Sequence, residues 1–130
     1  MNNSTNPTDS QPDTPIADLT LADLSQPLRE AAARAHWHSL MPVQARAIPY
    51  VLNGGNVMVQ ARTGSGKTGA FLLPMLEWLN PKQNQCQALI LVPTRELARQ
   101  VWQEAETLLA PAGLRTIAVY GGVGYKAQID

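Results

Sequence analysis

The chain has 130 residues, ten Lys+Arg against ten Asp+Glu, and a formal net charge of zero, which excludes a polybasic arm or an acidic tail as its means of binding. Hydrophobic residues make up 45%, ordinary for a globular protein, and the length allows about one domain of ~100 to 200 residues. A single cysteine, Cys86, excludes an internal disulfide framework; with no secretory leader and no run near ~18 apolar residues, a cytoplasmic protein outside the membrane is expected.

Residues 1–15 are Asn, Ser, Thr, Asp, Gln and the prolines Pro7, Pro12 and Pro15, with Met1 the one large apolar side chain. Such a segment buries too little surface to offset the entropy of ordering, and a disordered tail is predicted. From Ile16 the leucines Leu19, Leu21, Leu24 and Leu28 appear, and Ser25 is placed to cap a helix running through Leu28 and Ala31 to Ala33. A second helix is predicted to open at Pro42, carry Val43, Ala47, Ile48 and Val51, kink at Pro49, and stop at Asn53-Gly54-Gly55.

Val57-Met58-Val59 is a brief apolar run between glycine-rich stretches and reads as a buried strand. The helix after it, from about Lys67 to Leu79, holds Phe71, Leu72, Met75, Leu76 and Leu79, with Pro74 expected to bend it. Ala88-Leu89-Ile90-Leu91-Val92 is the clearest strand, too apolar for a half-exposed position and suited to the middle of a parallel sheet. A helix from about Thr94 places Leu97, Val101, Ala105 and Leu108 on one face until Pro111-Ala112-Gly113. Thr116-Ile117-Ala118-Val119-Tyr120 is a third strand, closed by Gly121-Gly122. Strands and helices alternating in this way predict an α/β fold with right-handed crossovers.

Between the first strand and its helix lies Ala61-Arg62-Thr63-Gly64-Ser65-Gly66-Lys67-Thr68. Binding a nucleotide phosphate takes glycines that let backbone N–H groups turn onto an anion, a lysine for the β and γ phosphates, and a hydroxyl for Mg²⁺. Gly64, Gly66, Lys67 and Thr68 supply these, and the following helix aims the positive end of its dipole at the same place.

That loop resembles motif I of the DEAD-box RNA helicases, and Pro93-Thr94-Arg95-Glu96-Leu97-Ala98 resembles their motif Ia. Met41-Pro42-Val43-Gln44, followed by Ile48-Pro49, is similar to their Q motif, and Gly121-Gly122 to the glycine doublet after the third strand. The four motifs stand in the family's order over residues 16–130. The resemblance implies a RecA-like phosphate-loop NTPase domain, with a mostly parallel sheet, helices on both faces, and a sequence that ends after the third strand. It divides the chain into the tail (1–15), a Q-motif region (16–47) and part of the ATP-binding domain (48–130).

The implied activity is ATP-dependent RNA strand separation, with ATP and Mg²⁺ as cofactors and RNA as partner. By resemblance, residues 61–68 bind ATP, with Lys67 on the β and γ phosphates and Thr68 on the metal as the catalytic pair. Gln44 matches the glutamine on the adenine edge, and Pro93, Thr94, Arg95, Gly121 and Gly122 match positions on the RNA backbone. Three places depart from the family pattern: Leu19 stands where an aromatic covers the base, His36-Trp37 where a Gly-aromatic pair is usual, and Met41-Pro42 for Thr-Pro. His36 and His38 flank Trp37 without a third partner and do not predict a zinc site, while Trp78 and Trp102 read as packing residues on helices.

The ten carboxylates include no Asp-Glu-Ala-Asp run, so the sequence is expected to be the first part of a longer helicase and inactive alone. Two other readings are a non-catalytic nucleotide- or RNA-binding module, and a DNA helicase of the same superfamily, against which the Pro-Thr-Arg-Glu-Leu-Ala run argues. Nothing in the sequence calls for an obligate oligomer.

Overall fold

The computed structural model describes residues 14–122. All but the last two residues of the predicted tail lie outside that range. Four helices form: α1 (Gln26–Arg34), α2 (Pro42–Leu52), α3 (Lys67–Met75) and α4 (Arg95–Leu109), with single 3-10 turns at Leu21–Asp23 and Ala110–Ala112. Apolar all round, α3 takes the centre and packs against α1, α2 and α4. Leu28, Ile48, Leu72, Leu73 and Leu108 are fully buried, each contributing about 1.5–3 kcal/mol by leaving water.

The two helix-internal prolines have different outcomes. Pro49 has no N–H for the carbonyl of Ala45, and the backbone N–H of Leu19 takes that acceptor at 2.9 Å. Ile16 adds a bond from its N–H to the Tyr50 hydroxyl at 3.1 Å, so the missing helical bond becomes an anchor for residues 16–19. Pro74 shortens its helix instead: α3 ends at Met75 rather than near Leu79, and the chain tightens into turns in which Leu76, Glu77 and Trp78 donate to carbonyls three residues back.

Ser25 stands at the N-cap of α1 as expected, yet makes no side-chain cap bond; its hydroxyl donates to the carboxylate of Glu77. The turn at Leu21–Asp23, which the leucine pattern did not predict, is held by Thr20, whose N–H and hydroxyl both donate to Asp23 Oδ2 at 2.7 Å. α4 follows the prediction closely, with Thr94 as N-cap accepting from the Leu97 N–H at 3.2 Å and Gly113 left-handed just beyond its end.

The three segments predicted as strands, 57–59, 88–92 and 116–120, carry no strand among the described residues. The side-chain pattern of a strand is nevertheless present. Ile90, Val92, Ala118 and Tyr120 are half-buried while Leu89, Leu91, Ile117 and Val119 are exposed, an alternation with the period of two that pleated backbone imposes. The expectation of burial on both faces is thus corrected: one row meets the protein interior, and on the other Leu91 is 84% exposed and, in the first segment, Met58 is 99% exposed. A parallel ladder pairs segments a dozen or more residues apart, and apolar composition alone does not bring it about.

Candidate functional site

Gly64 (φ +76°) and Gly66 (φ +88°) are left-handed, and Gly66 is the N-cap of α3. This geometry bends residues 61–68 over the start of the helix, where the macrodipole is positive. Lys67 folds back inside the loop, its ammonium donating to the carbonyls of Ala61 and, at 2.9 Å, Arg62. Ser65 N–H donates to the Arg62 carbonyl at 3.2 Å. The Ser65 hydroxyl is buried with no hydrogen-bond partner among the described residues, a costly state unless something else enters the loop to meet it.

The loop is held from outside by side chains that come from α2 and its approach. Gln44 is 3% exposed, the one polar residue buried as a whole among the described residues. Its Oε1 accepts from the Met41 N–H at 2.9 Å, the back-reaching half of a capping box, and its Nε2 donates to the Gly66 carbonyl at 3.2 Å. A Cβ at Gly66 would come within 2.7 Å of both Gln44 Nε2 and Met41 Sδ. Gln44 thus sits beside the loop but faces inward, with one donor and one acceptor already engaged. Leu19, placed by sequence over a base, packs against the hydrophobic core.

The second group of predicted residues also assembles. Pro93, Thr94, Arg95, Gly121 and Gly122 are all exposed, and the guanidinium of Arg95 lies over Gly122, where a Cβ would come within 2.6 Å of Nη1. Gly122 is left-handed (φ +85°), and nothing approaches within 4 Å of the Cβ position of Gly121. The hydroxyl of Thr94 is engaged at the helix start. Trp78 and Trp102, read as packing residues, are 51% and 39% exposed.

Sequence reasoning did not bring Trp37 against Gly69 in the first turn of α3, where a Cβ would come within 2.7 Å of the indole Cζ2. Their contact depends on how α1 ends, and no local motif announces it. The Gln44 tie was not read from the sequence, which gave this glutamine only as a match to the adenine position. A cleft of about 610 Å³ opens between α2 and residues 57–61, lined by Pro42, Val43, Arg46, Tyr50 and Met58 among others. It meets the loop only at Ala61, so the chemistry-bearing groups lie elsewhere. Among the described residues no cluster of three or more His, Cys, Asp or Glu could hold a metal, and no helix is long and apolar enough to cross a membrane.

Comparison with known proteins gives the family. A family model described as DEAD/DEAH box helicase matches residues 41–130. The ATP-dependent RNA helicase DeaD of Escherichia coli strain K12 is 44% identical over 116 residues, 86% of this chain and 18% of that protein. The crystal structure of an RNA helicase from Chaetomium thermophilum bound to ADP superposes with a TM-score of 0.76 at 35% identity, over 88% of this chain and 29% of the other. A DEAD box protein from the hyperthermophile Methanococcus jannaschii superposes with a TM-score of 0.73, also at 35% identity, over 87% and 32%. The chain therefore spans less than a fifth of the length of the DeaD helicase it matches.

Proposed function

The chain belongs to the DEAD/DEAH box helicase family and has its RecA-like α/β fold, and from that premise we propose that it supplies the ATP site and part of the RNA contact of an ATP-dependent RNA helicase. The observation that carries this reading is the loop at residues 61–68: two left-handed glycines, a lysine turned onto loop carbonyls, and a buried serine hydroxyl without a partner. The donor set suits a triphosphate. Phosphate oxygens offer Lys67 charged acceptors in place of two neutral carbonyls, bonds roughly twice as strong, and they offer Ser65 an acceptor.

Residues 61–68 would hold the phosphates, with Lys67 neutralising the β and γ groups and the α3 N-terminus adding its partial charge. Mg²⁺, when bound with the nucleotide, supplies further neutralisation of the transferring phosphate, and the Thr68 hydroxyl is the side chain placed to hold it. Gln44 reads adenine with what its amide has left. One lone pair on Oε1 and one N–H on Nε2 are engaged within the protein, leaving a second acceptor and a second donor for N6 and N7. RNA passes over Pro93, Thr94, Arg95 and the Gly121-Gly122 pair, where the guanidinium and bare glycine backbone admit a phosphodiester without reading its bases. Residues 16–47 then serve as a Q-motif region and 48 onward as the nucleotide domain. A cytoplasmic setting fits the exposed free thiol of Cys86.

The decisive experiment is Lys67→Ala in the full-length protein, read by RNA-stimulated phosphate release. Turnover should fall by at least about 10³-fold, because the phosphates lose the lysine ammonium at the start of α3. Activity within about twofold of the unmodified protein would remove Lys67 from this role. Gln44→Ala should weaken ATP more than GTP; equal losses would make Gln44 a structural residue only.

A further inference from the structure

We propose that Trp37 is a positioning residue of the nucleotide site, matched in size to Gly69 so that together they set where the Gln44 amide lies; the inference rests on the nucleotide-binding reading above. It begins at the end of α1. Ala35 is the C-cap, His36 takes a left-handed conformation (φ +59°), the His36 N–H donates to the Ala33 carbonyl at 3.0 Å, and the Trp37 N–H donates to the Ala32 carbonyl at 2.9 Å. These paired backward bonds are a Schellman closure. They fix the direction in which the chain leaves α1 and bring the indole down on the first turn of α3.

The contact there leaves room for nothing else. A Cβ at Gly69 would collide with the benzo edge of Trp37, 2.7 Å from Cζ2, and would stand 2.9 Å from Gln44 Nε2. Ring and amide share the space that a hydrogen at position 69 leaves open. Gly69 directly follows Lys67-Thr68, and the same amide nitrogen donates to Gly66. Across Gly69, Trp37 therefore borders the amide that is tied to Met41 and Gly66. A methyl group at position 69 would stand within 3.0 Å of both the ring and the amide, so both must give or the helix backbone must shift, and the amide, the end of a flexible side chain, moves the group that reads the base. Phenylalanine at position 37 lacks the outer carbons of the benzo ring and returns the space.

The test is a mutant cycle in the full-length protein, with ADP and GDP affinities and thermal midpoints measured for Gly69→Ala, Trp37→Phe and the double variant. Gly69→Ala should weaken ADP about tenfold and lower the ADP-to-GDP preference, Trp37→Phe should cost about threefold, and the double variant should return to within about threefold of the unmodified protein, a non-additivity in the range of contacting pairs. A role in packing alone would shift the thermal midpoints while leaving the ADP-to-GDP ratio untouched, and that result would overturn the proposal. So would additive losses, or a double variant that fails to fold. If Gly69→Ala alone does not fold, recovery of folding and of base preference in the double variant still supports the size match. The nucleotide reading fails separately: it falls if the unmodified protein binds neither ADP nor GDP, or if Lys67→Ala binds both unchanged.

Discussion

The two groups of residues assigned to ligands are built differently. The loop at 61–68 and the glycine just after it are clamped by side chains 22 to 32 residues away in sequence: Met41 and Gln44 crowd Gly66, and Trp37 crowds Gly69. The group at Arg95 and Gly121-Gly122 is open, held by one capping bond at Thr94 and one guanidinium laid over a glycine. A clamped loop presents fixed backbone donors to a small ligand of defined shape. An open surface with a single movable cation suits a long, repetitive backbone that slides into place. The difference teaches that the loop owes its shape to several tertiary neighbours packed around it, whereas the second group rests on one cap and one long-range cation.

The same substitution at the two ends should separate them most sharply. Gly66→Ala meets a left-handed backbone, for which an L-residue costs about 1–2 kcal/mol, and a double collision with Gln44 and Met41, for which overpacking adds about 1–3 kcal/mol. Chemical denaturation should show a loss of roughly 2–5 kcal/mol, with nucleotide binding weakened beyond about tenfold. Gly122→Ala has a similar φ, but its collision is with the far end of Arg95, which can swing away. Its cost should be about 1–2 kcal/mol from backbone strain alone. RNA affinity should fall while ATP affinity in the absence of RNA holds. Equal effects of both variants on nucleotide binding would erase the distinction between a clamped and an open site.

How much of this was legible follows the same line. The ends of α2 and α4 could be read because their stops are local: Asn53-Gly54-Gly55 follows α2, and Pro111-Ala112-Gly113 follows α4. The glycine-rich turn at residues 61–68 was legible for the same reason. Non-local pairings stayed hidden: the Leu19 bond to the carbonyl that Pro49 leaves free, the inward turn of Gln44, and the Trp37 contact at Gly69. The three apolar segments showed their period of two but not which partners they would meet.

His36 lies between these cases, since the departure from a Gly-aromatic pair was visible and its consequence was not. It occupies the left-handed position of the closure that aims Trp37. His36→Gly relieves about 1–2 kcal/mol of strain, partly offset by the greater freedom of glycine in the unfolded chain, about 0.5–1 kcal/mol. The net should be a gain of a few tenths to about 1 kcal/mol with nucleotide affinity unchanged. A loss of stability would show that the histidine side chain holds the closure by a contact of its own.

The smallest effects concern two carboxylates on opposite sides of this divide, and their signs differ. Burial raises the Glu104 carboxyl on α4 above its ordinary 4.5, so the fold favours the protonated acid. That contribution is complete below about pH 4.5 and is lost as pH rises through the folded value. Near neutral pH the ionised group costs stability, so Glu104→Gln should stabilise there by no more than a few tenths of a kcal/mol after solvent screening, with the gap closing in acid. Asp23, before α1, is lowered from 3.8 by the Thr20 hydroxyl first and the Thr20 backbone N–H second. Its contribution is present above about pH 3.8 and disappears as pH falls through the folded value. Asp23→Asn should therefore destabilise near neutral pH and become neutral in acid. Urea midpoints for both variants from about pH 7 down to about pH 2.5 decide the matter, and shifts of the same sign near neutral pH would show that one of the two carboxylates has been misread.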